Sequence, residues 1–269
     1  MTLKDPFVEA FLDACYEGDL SKTQEAIASG RLTSEELDEG LAEATAMVHT
    51  DLVPVLFDAG ASVSTKSVAA LRGDSSRQHP TIVRLFFDHG LDPNATDSSG
   101  DPILAFIEDP ECAREFLSRG ADSNRVDSRG APTFLTAIYC LREDDTTLLD
   151  LYLEYGARLK SEHLFYAVGR RVAGSQFKTS FLLGKGLDPN ASHPRWGTLL
   201  HCAIRNAQTS AIKVLLDAGA DLTARSQGTN FHGQTPSEAA EWLQNPDTKS
   251  AILTLLRSAI SGKDRDASS

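Results

Sequence analysis

The 269-residue sequence has no apolar run long enough to cross a bilayer, and its opening stretch, MTLKDPFVEAFLDACYEGDL, meets acidic residues too early to form a secretory h-region. These absences lead us to expect an intracellular, cytoplasmic protein without a membrane partner. Basic residues are short as well: 26 Lys and Arg stand against 38 Asp and Glu, a formal net charge of −12. Neutralising nucleic-acid phosphates needs the opposite balance, so nucleic acid is not an expected partner, and the acidic surface serves chiefly to keep the chain soluble. The four cysteines, Cys15, Cys112, Cys140 and Cys202, are far apart and form no CxxC or Cys/His ligand spacing. They read as small reduced thiols inside the fold rather than as disulfides or metal ligands. Also missing are a glycine-rich phosphate loop, a GxSxG elbow, an HExxH pair and an EF-hand loop. The paired acids Asp144-Asp145 and Glu35-Glu36 read as solvated faces, because adjacent side chains do not converge on one bond. No catalytic, cofactor-binding or metal residue is therefore assigned, and no cofactor is expected.

What the sequence has in abundance is repetition. Gly197 to Ala224, GTLLHCAIRNAQTSAIKVLLDAGADLTA, reads as a helix, a turn, a second helix and a glycine stop. Thr198 can cap the first helix with its hydroxyl, and Leu200 and Ala203 share a face of it. Ile212, Leu215 and Leu216 fall at the three-and-four spacing of an apolar stripe, and Gly219 ends the second helix by entering the left-handed conformation. Stops of this kind recur at Gly30, Gly60, Gly90, Gly120, Gly156, Gly186 and Gly219, with separations of 30, 30, 30, 36, 30 and 33 residues. The flanks match too, as in VLFDAGAS (55–62), LFFDHGLDPNA (85–95), FLLGKGLDPNA (181–191) and VLLDAGADLTA (214–224).

This pattern resembles the ankyrin repeat, whose signature opens on Thr-Pro-Leu-His and closes on Leu-Leu-x-x-Gly-Ala-Asp. Here Thr198-Leu199-Leu200-His201 and Leu215 to Asp221 carry the match, with only the Pro missing. The resemblance implies an all-α ankyrin-repeat solenoid of stacked helix-turn-helix pairs with hairpin-like finger loops. About eight units are expected, over 5–30, 31–60, 61–90, 91–120, 121–156, 157–186, 187–219 and 220–260, with a disordered tail at 261–269. Several units are irregular. The second lacks the signature start, the third carries a polar loop at 72–80 read as mobile, the fifth is expanded at 141–147, and the sixth has almost no finger. The last helix, 245–260, closes the stack with Ile252, Leu255, Leu256 and Ile260 on its inner face.

The resemblance also assigns roles. Asp92, Asn94, Asp122 and Asn124 match finger positions where short polar side chains bond nearby amides. His201, and His163 in a weaker copy of the same helix start, would brace adjacent loops. The function implied is a protein-protein interaction scaffold that binds an unidentified partner protein or peptide. Candidate partner-binding residues are Arg195 and Trp196 at one finger tip and Phe231 and His232 at the next, because neither stacking nor the core requires them there. Arg129, Arg142, Arg170 and Arg171 extend the candidate surface as a basic strip, which makes an acidic partner the expected one and a monomer the expected state. Two readings of other classes remain open at this point. One is a small-molecule or catalytic pocket formed by the irregular repeats, near Tyr139, Tyr166 or His163. The other is a self-associating subunit.

Overall fold

The structure is a computed structural model that describes residues 5–72 and 78–266. Most of the loop expected to be mobile, residues 73–77, lies outside the described residues. The chain divides into two compact units, one made of Met1–Cys140 with Thr147–Ala157 and the other of Leu141–Thr146 with Arg158–Ser269.

The first unit is built from α1 (Pro6–Glu17), α2 (Leu20–Ala28), α3 (Ser34–Ala46), α4 (Leu52–Asp58), α5 (Thr65–Ala70), α6 (Pro80–Asp88), a 3-10 turn at Ile103–Phe106, α7 (Pro110–Ser118), α8 (Leu135–Cys140) and α9 (Thr147–Glu154). Its helices start where the sequence offers a cap. Asp5 accepts from the Phe7 amide with Pro6 in the first turn, Asp19 accepts from Lys22, and Thr33 with Glu36 forms a reciprocal capping box. Successive helices pack on one another: α1 against α2 and α3, α3 against α4 and α5, α6 against α7, α8 against α9. Phe11, Leu41, Leu56, Phe86, Phe116 and Ile138 fill the space between them. Tyr152 is the largest fully buried side chain, and its hydroxyl donates to the Leu104 carbonyl at 2.9 Å, the partner that a buried phenol requires.

The second unit opens on a 3-10 turn at Ser161–His163 and continues with α10 (Leu164–Ala167), α11 (Ser175–Gly184), a hairpin of β1 (Ser192–His193) and β2 (Gly197–Thr198), α12 (Leu199–Arg205), α13 (Thr209–Asp217), α14 (Pro236–Ala240) and α15 (Pro246–Asp266). The strands are antiparallel, with His193 opposite Gly197. Helix α12 packs on α13 and α14, and α13 on α15. Two expectations need correcting here. Ile252 and Leu256 are buried as expected, but Ile260 is 43% exposed. The helix also runs on to Asp266 rather than giving way to a disordered tail at 261, because no proline stops it and the Ser261 hydroxyl donates back to the Arg257 carbonyl within the helix. Residues 267–269 of that tail lie outside the described residues.

The seven stop glycines all have positive φ, between 65° and 103°, and a Cβ at any of them would meet no atom within 4 Å. The backbone conformation, not lack of space, is what demands glycine there. A second left-handed position recurs in the turn after a first helix, at Gly18, Val48, Arg171 and Ala207. The finger asparagines tie neighbouring repeats together. Asn94 accepts from the Asp122 amide at 2.9 Å, Asn124 donates to the Gly156 carbonyl at 2.9 Å, and Asn190 accepts from the Asp221 amide at 2.8 Å.

Candidate interaction surface

Each finger tip is a tight turn closed by main-chain bonds and by one side chain at its first corner. In the first unit that side chain is Asp127. Its carboxylate accepts from the amides of Arg129 and Ala131, both at 2.8 Å, and from the Arg129 guanidinium at 3.0 and 3.2 Å. Burial alone would raise the Asp127 carboxyl, but the Ala131 and Arg129 amides and the Arg129 charge outweigh it and hold the group below the ordinary carboxylate value.

The second unit repeats the frame with different chemistry. Thr133 donates its amide to the Arg125 carbonyl and Leu199 does the same to Ala191, both at 2.9 Å, so His193 stands where Asp127 stands and Arg195 where Arg129 does. The Arg195 amide donates to His193 Nδ1 at 3.1 Å, as the Arg129 amide does to Asp127. With no carboxylate beside it, the Arg195 guanidinium lies over the Trp196 ring, 4.7 Å from its centroid. Arg205 approaches the same ring from the end of α12, at 5.2 Å, within the range of a cation–π attraction. Neither arginine has a carboxylate within ion-pair distance among the described residues. Trp196 is half-buried, while Arg195 and Arg205 are exposed.

Phe231 was expected at an exposed tip and is instead 7% exposed. The long finger 220–235 is zipped onto the hairpin by its main chain: Thr229 donates to the Pro194 carbonyl and Asn230 to that of Arg195, both at 3.1 Å. The approach is so close that a Cβ on Gly228 would land on the Gly197 amide. Phe231 is turned inward by this zip and packs on His201, with ring centroids 5.9 Å apart. It is a prop beneath the surface, and His232 is left exposed at the tip.

His201 is fixed on both sides. Its Nε2 must donate to the Gln234 carbonyl, 2.9 Å away, which leaves Nδ1 to accept from the Thr198 hydroxyl at 2.7 Å. Thr198 therefore spends its hydroxyl on His201 rather than on a helix cap, contrary to the sequence reading. Burial pushes the His201 pKa down, against the hydrogen bond to Gln234. His163 is also lowered by burial, and its Nδ1 accepts from the Lys160 amide at 3.0 Å.

The remaining candidates make no contact with Trp196 that the structure records. Arg129 belongs to the first unit and is neutralised by Asp127. Arg142 sits in a turn where it exchanges main-chain bonds with Asp145. Arg170 and Arg171 are exposed between α10 and α11 and have no carboxylate partner among the described residues. Two residues that sequence reasoning passed over join the picture: Arg205, beside Trp196, and Trp242, after α14, which is 69% exposed. The net charge also conceals an asymmetry. Residues 158–269 carry fourteen Lys and Arg against nine Asp and Glu, whereas residues 1–157 carry twelve against twenty-nine.

One small cavity lies in the first unit among the described residues. Its volume of about 10 Å³, between Thr45, Val48, Leu71, Gln78, His79 and Ile82, holds one water at most. Tyr139 lies in the first unit and the pair His163 and Tyr166 in the second, so these three do not share one unit. Among the described residues no three His, Cys, Asp or Glu side chains are grouped to hold a metal ion, and no helix is long and apolar enough to cross a membrane.

A family model described as "Ankyrin repeats (many copies)" matches residues 164–216. The crystal structure of the human ASB11 ankyrin repeat domain is similar in fold, with a TM-score of 0.52 and 23% sequence identity over 66% of this chain and 77% of that one. No curated protein sequence matches the chain. The left-handed stop glycines, the His201 brace, the finger asparagines and these two matches agree on an ankyrin-repeat fold, with residues 164–216 matching the ankyrin-repeat model itself; such repeats generally serve as protein-interaction modules.

Proposed function

We propose that this protein is a monomeric scaffold that binds a partner protein or peptide through the finger hairpin 192–198 and the exposed end of α12, and that the partner contributes acidic side chains. The observation that carries this reading is the cluster at Trp196, where a half-buried indole is flanked by two exposed arginines that no carboxylate neutralises. Trp and Arg give much contact for little conformational entropy, which is why they recur at binding hot spots. The surface is also preorganised. The zip between Gly228 and Gly197 and the plug of Phe231 fix the finger before any partner arrives, so little ordering cost falls on association.

The test is an affinity capture from cell extract with the wild-type protein and with a Trp196→Ala, Arg205→Ala variant of equal helicity by circular dichroism. A protein held by the first, lost from the second and released by raised salt supports the reading. Equal retention by both variants overturns it.

A further inference from the structure

Helices α12 and α14 start in the same way, each after a threonine in extended conformation, Thr198 with ψ 161° and Thr235 with ψ 163°. Counting seven residues on from each threonine reaches Arg205 in one repeat and Trp242 in the next. The two side chains thus occupy the same repeat position, and α12 packs directly against α14. Neighbouring packed helices lie about 10 Å apart, so Arg205 and Trp242 form two consecutive stations on one face. Trp242 is the most exposed of the large apolar side chains, at 69%. The two acids of the α14 segment that precede it are paired. Glu241 pairs with Lys249 at 2.6 Å, and Glu238 pairs with Arg225 at 3.3 Å while accepting the Thr235 amide at 2.8 Å. Arg195 and Arg205 have no carboxylate partner among the described residues.

We infer that this face reads an extended acidic segment of a partner in two places: a carboxylate against Arg195 and Arg205, and an apolar side chain laid on Trp242. An extended chain advances about 3.3 Å per residue, so the two anchors are about three residues apart. The inference rests on the docking face proposed above and adds the second anchor and the spacing. Charge complementarity selects the occupant, since two arginines without a carboxylate partner favour a carboxylate-bearing chain over a basic or neutral one.

Selection of a random twelve-residue peptide library displayed on phage against the whole protein tests this. The expected consensus carries Asp or Glu about three residues from Leu, Phe or Trp. The best such peptide is expected to bind Trp242→Ala at least tenfold more weakly than wild type, with unchanged circular dichroism. The chain has two Trp, so in Trp196→Phe the emission reports Trp242 alone, and it is expected to shift to the blue as the peptide covers the ring. Acidic peptides that lose binding to Trp196→Ala but bind Trp242→Ala within twofold of wild type overturn this inference and leave the proposed face standing. Enrichment of basic peptides, or of none, overturns both. A dimer in sedimentation that Trp242→Ala dissociates assigns Trp242 to a second copy and overturns the two-anchor reading.

Discussion

The finger tip at 127–130 in the first unit and the one at 193–196 in the second share a hydrogen-bonded frame and differ in what the frame leaves over. In the first, Asp127 closes the turn and also neutralises Arg129. In the second, His193 closes the same turn with a ring nitrogen, and Arg195 keeps its charge for the surface. Gly130 in the first becomes Trp196 in the second, which turns a bare tip into one with a large ring. The repeat's structural requirement is only an acceptor at the first corner. Within that limit, the identity of the acceptor decides whether the tip is internally satisfied or open to a partner.

The fingers also differ in how they are held, and this gives the largest expected effect. In the first unit adjacent fingers meet through side chains, with Asp101 accepting from the Ser128 amide at 2.6 Å. In the second they meet backbone to backbone at Gly228 and Gly197. Gly100→Ala in the first unit faces open space and carries only the strain of φ +82°, a cost of about 1 kcal/mol. Gly228→Ala must push its finger off the hairpin and unseat Phe231, at a cost of about 3 kcal/mol. Urea midpoints at constant m-value compare the two, and hydrogen exchange shows whether the loss falls on residues 192–235. Equal costs for the two variants would mean that the backbone zip does not hold the finger.

How much of this was legible in the sequence follows from which contacts are local. The stop glycines, the paired helices and the His201 brace are fixed by residues within one repeat or by the repeat period itself, so reading the pattern sufficed. Phe231 was misplaced because its burial depends on a main-chain approach between Gly228 and Gly197, thirty-one positions apart, and an aromatic in a long polar loop carries no mark of that. Thr198 looked like a cap because its hydroxyl could serve either an amide or His201, and only geometry decides. Nothing in GQTPSEAAEWL marks Trp242 as exposed, since a Trp beside a helix serves a core as well as a surface. Laying α14 over α12 by their initial threonines would have placed it beside Arg205.

A middle-sized effect is expected from exchanging the corner acceptors. His193→Asp keeps the acceptor for the Arg195 amide and adds a carboxylate beside the guanidinium, recreating the arrangement of Asp127 with Arg129. Affinity for an acidic peptide selected on the wild type should fall about tenfold, or about 1.4 kcal/mol, with the melting temperature little changed. Titration by fluorescence anisotropy at two salt concentrations measures it, and the salt dependence should weaken together with the affinity. An unchanged affinity would show that the charge at position 195 is irrelevant to binding, and the contrast between the two tips would lose its functional meaning.

The smallest effect separates the two units by pH. The shifted groups that stabilise the second unit include His163 and His201, both lowered chiefly by burial. A histidine whose folded pKa lies below the unfolded value near 6.5 stays neutral in the native state while the unfolded chain takes up a proton. Unfolded molecules then bind more protons, so stability rises with pH across that window and is lost as the pH drops below about 6.5. In the first unit the shifted carboxyls include Asp127 and Glu115. Burial opposes their ionisation, but amide bonds and Arg129 in one case, and Arg84 and Arg119 in the other, hold both below their ordinary values. Their contribution is present above the unfolded carboxylate pKa near 4 and disappears only as the pH falls through the lower folded values. Hydrogen exchange followed by mass spectrometry from pH 7.5 to 5.0, corrected for intrinsic rates, should therefore show protection falling first around α12, where His201 is held between Thr198 and Gln234. Peptides around 127–131 should keep theirs across the whole range. His201→Gln should flatten the response of the second unit, because an amide can still donate to the Gln234 carbonyl but has no proton to gain. Parallel loss in both units across the neutral range would assign the pH response to something other than these buried rings.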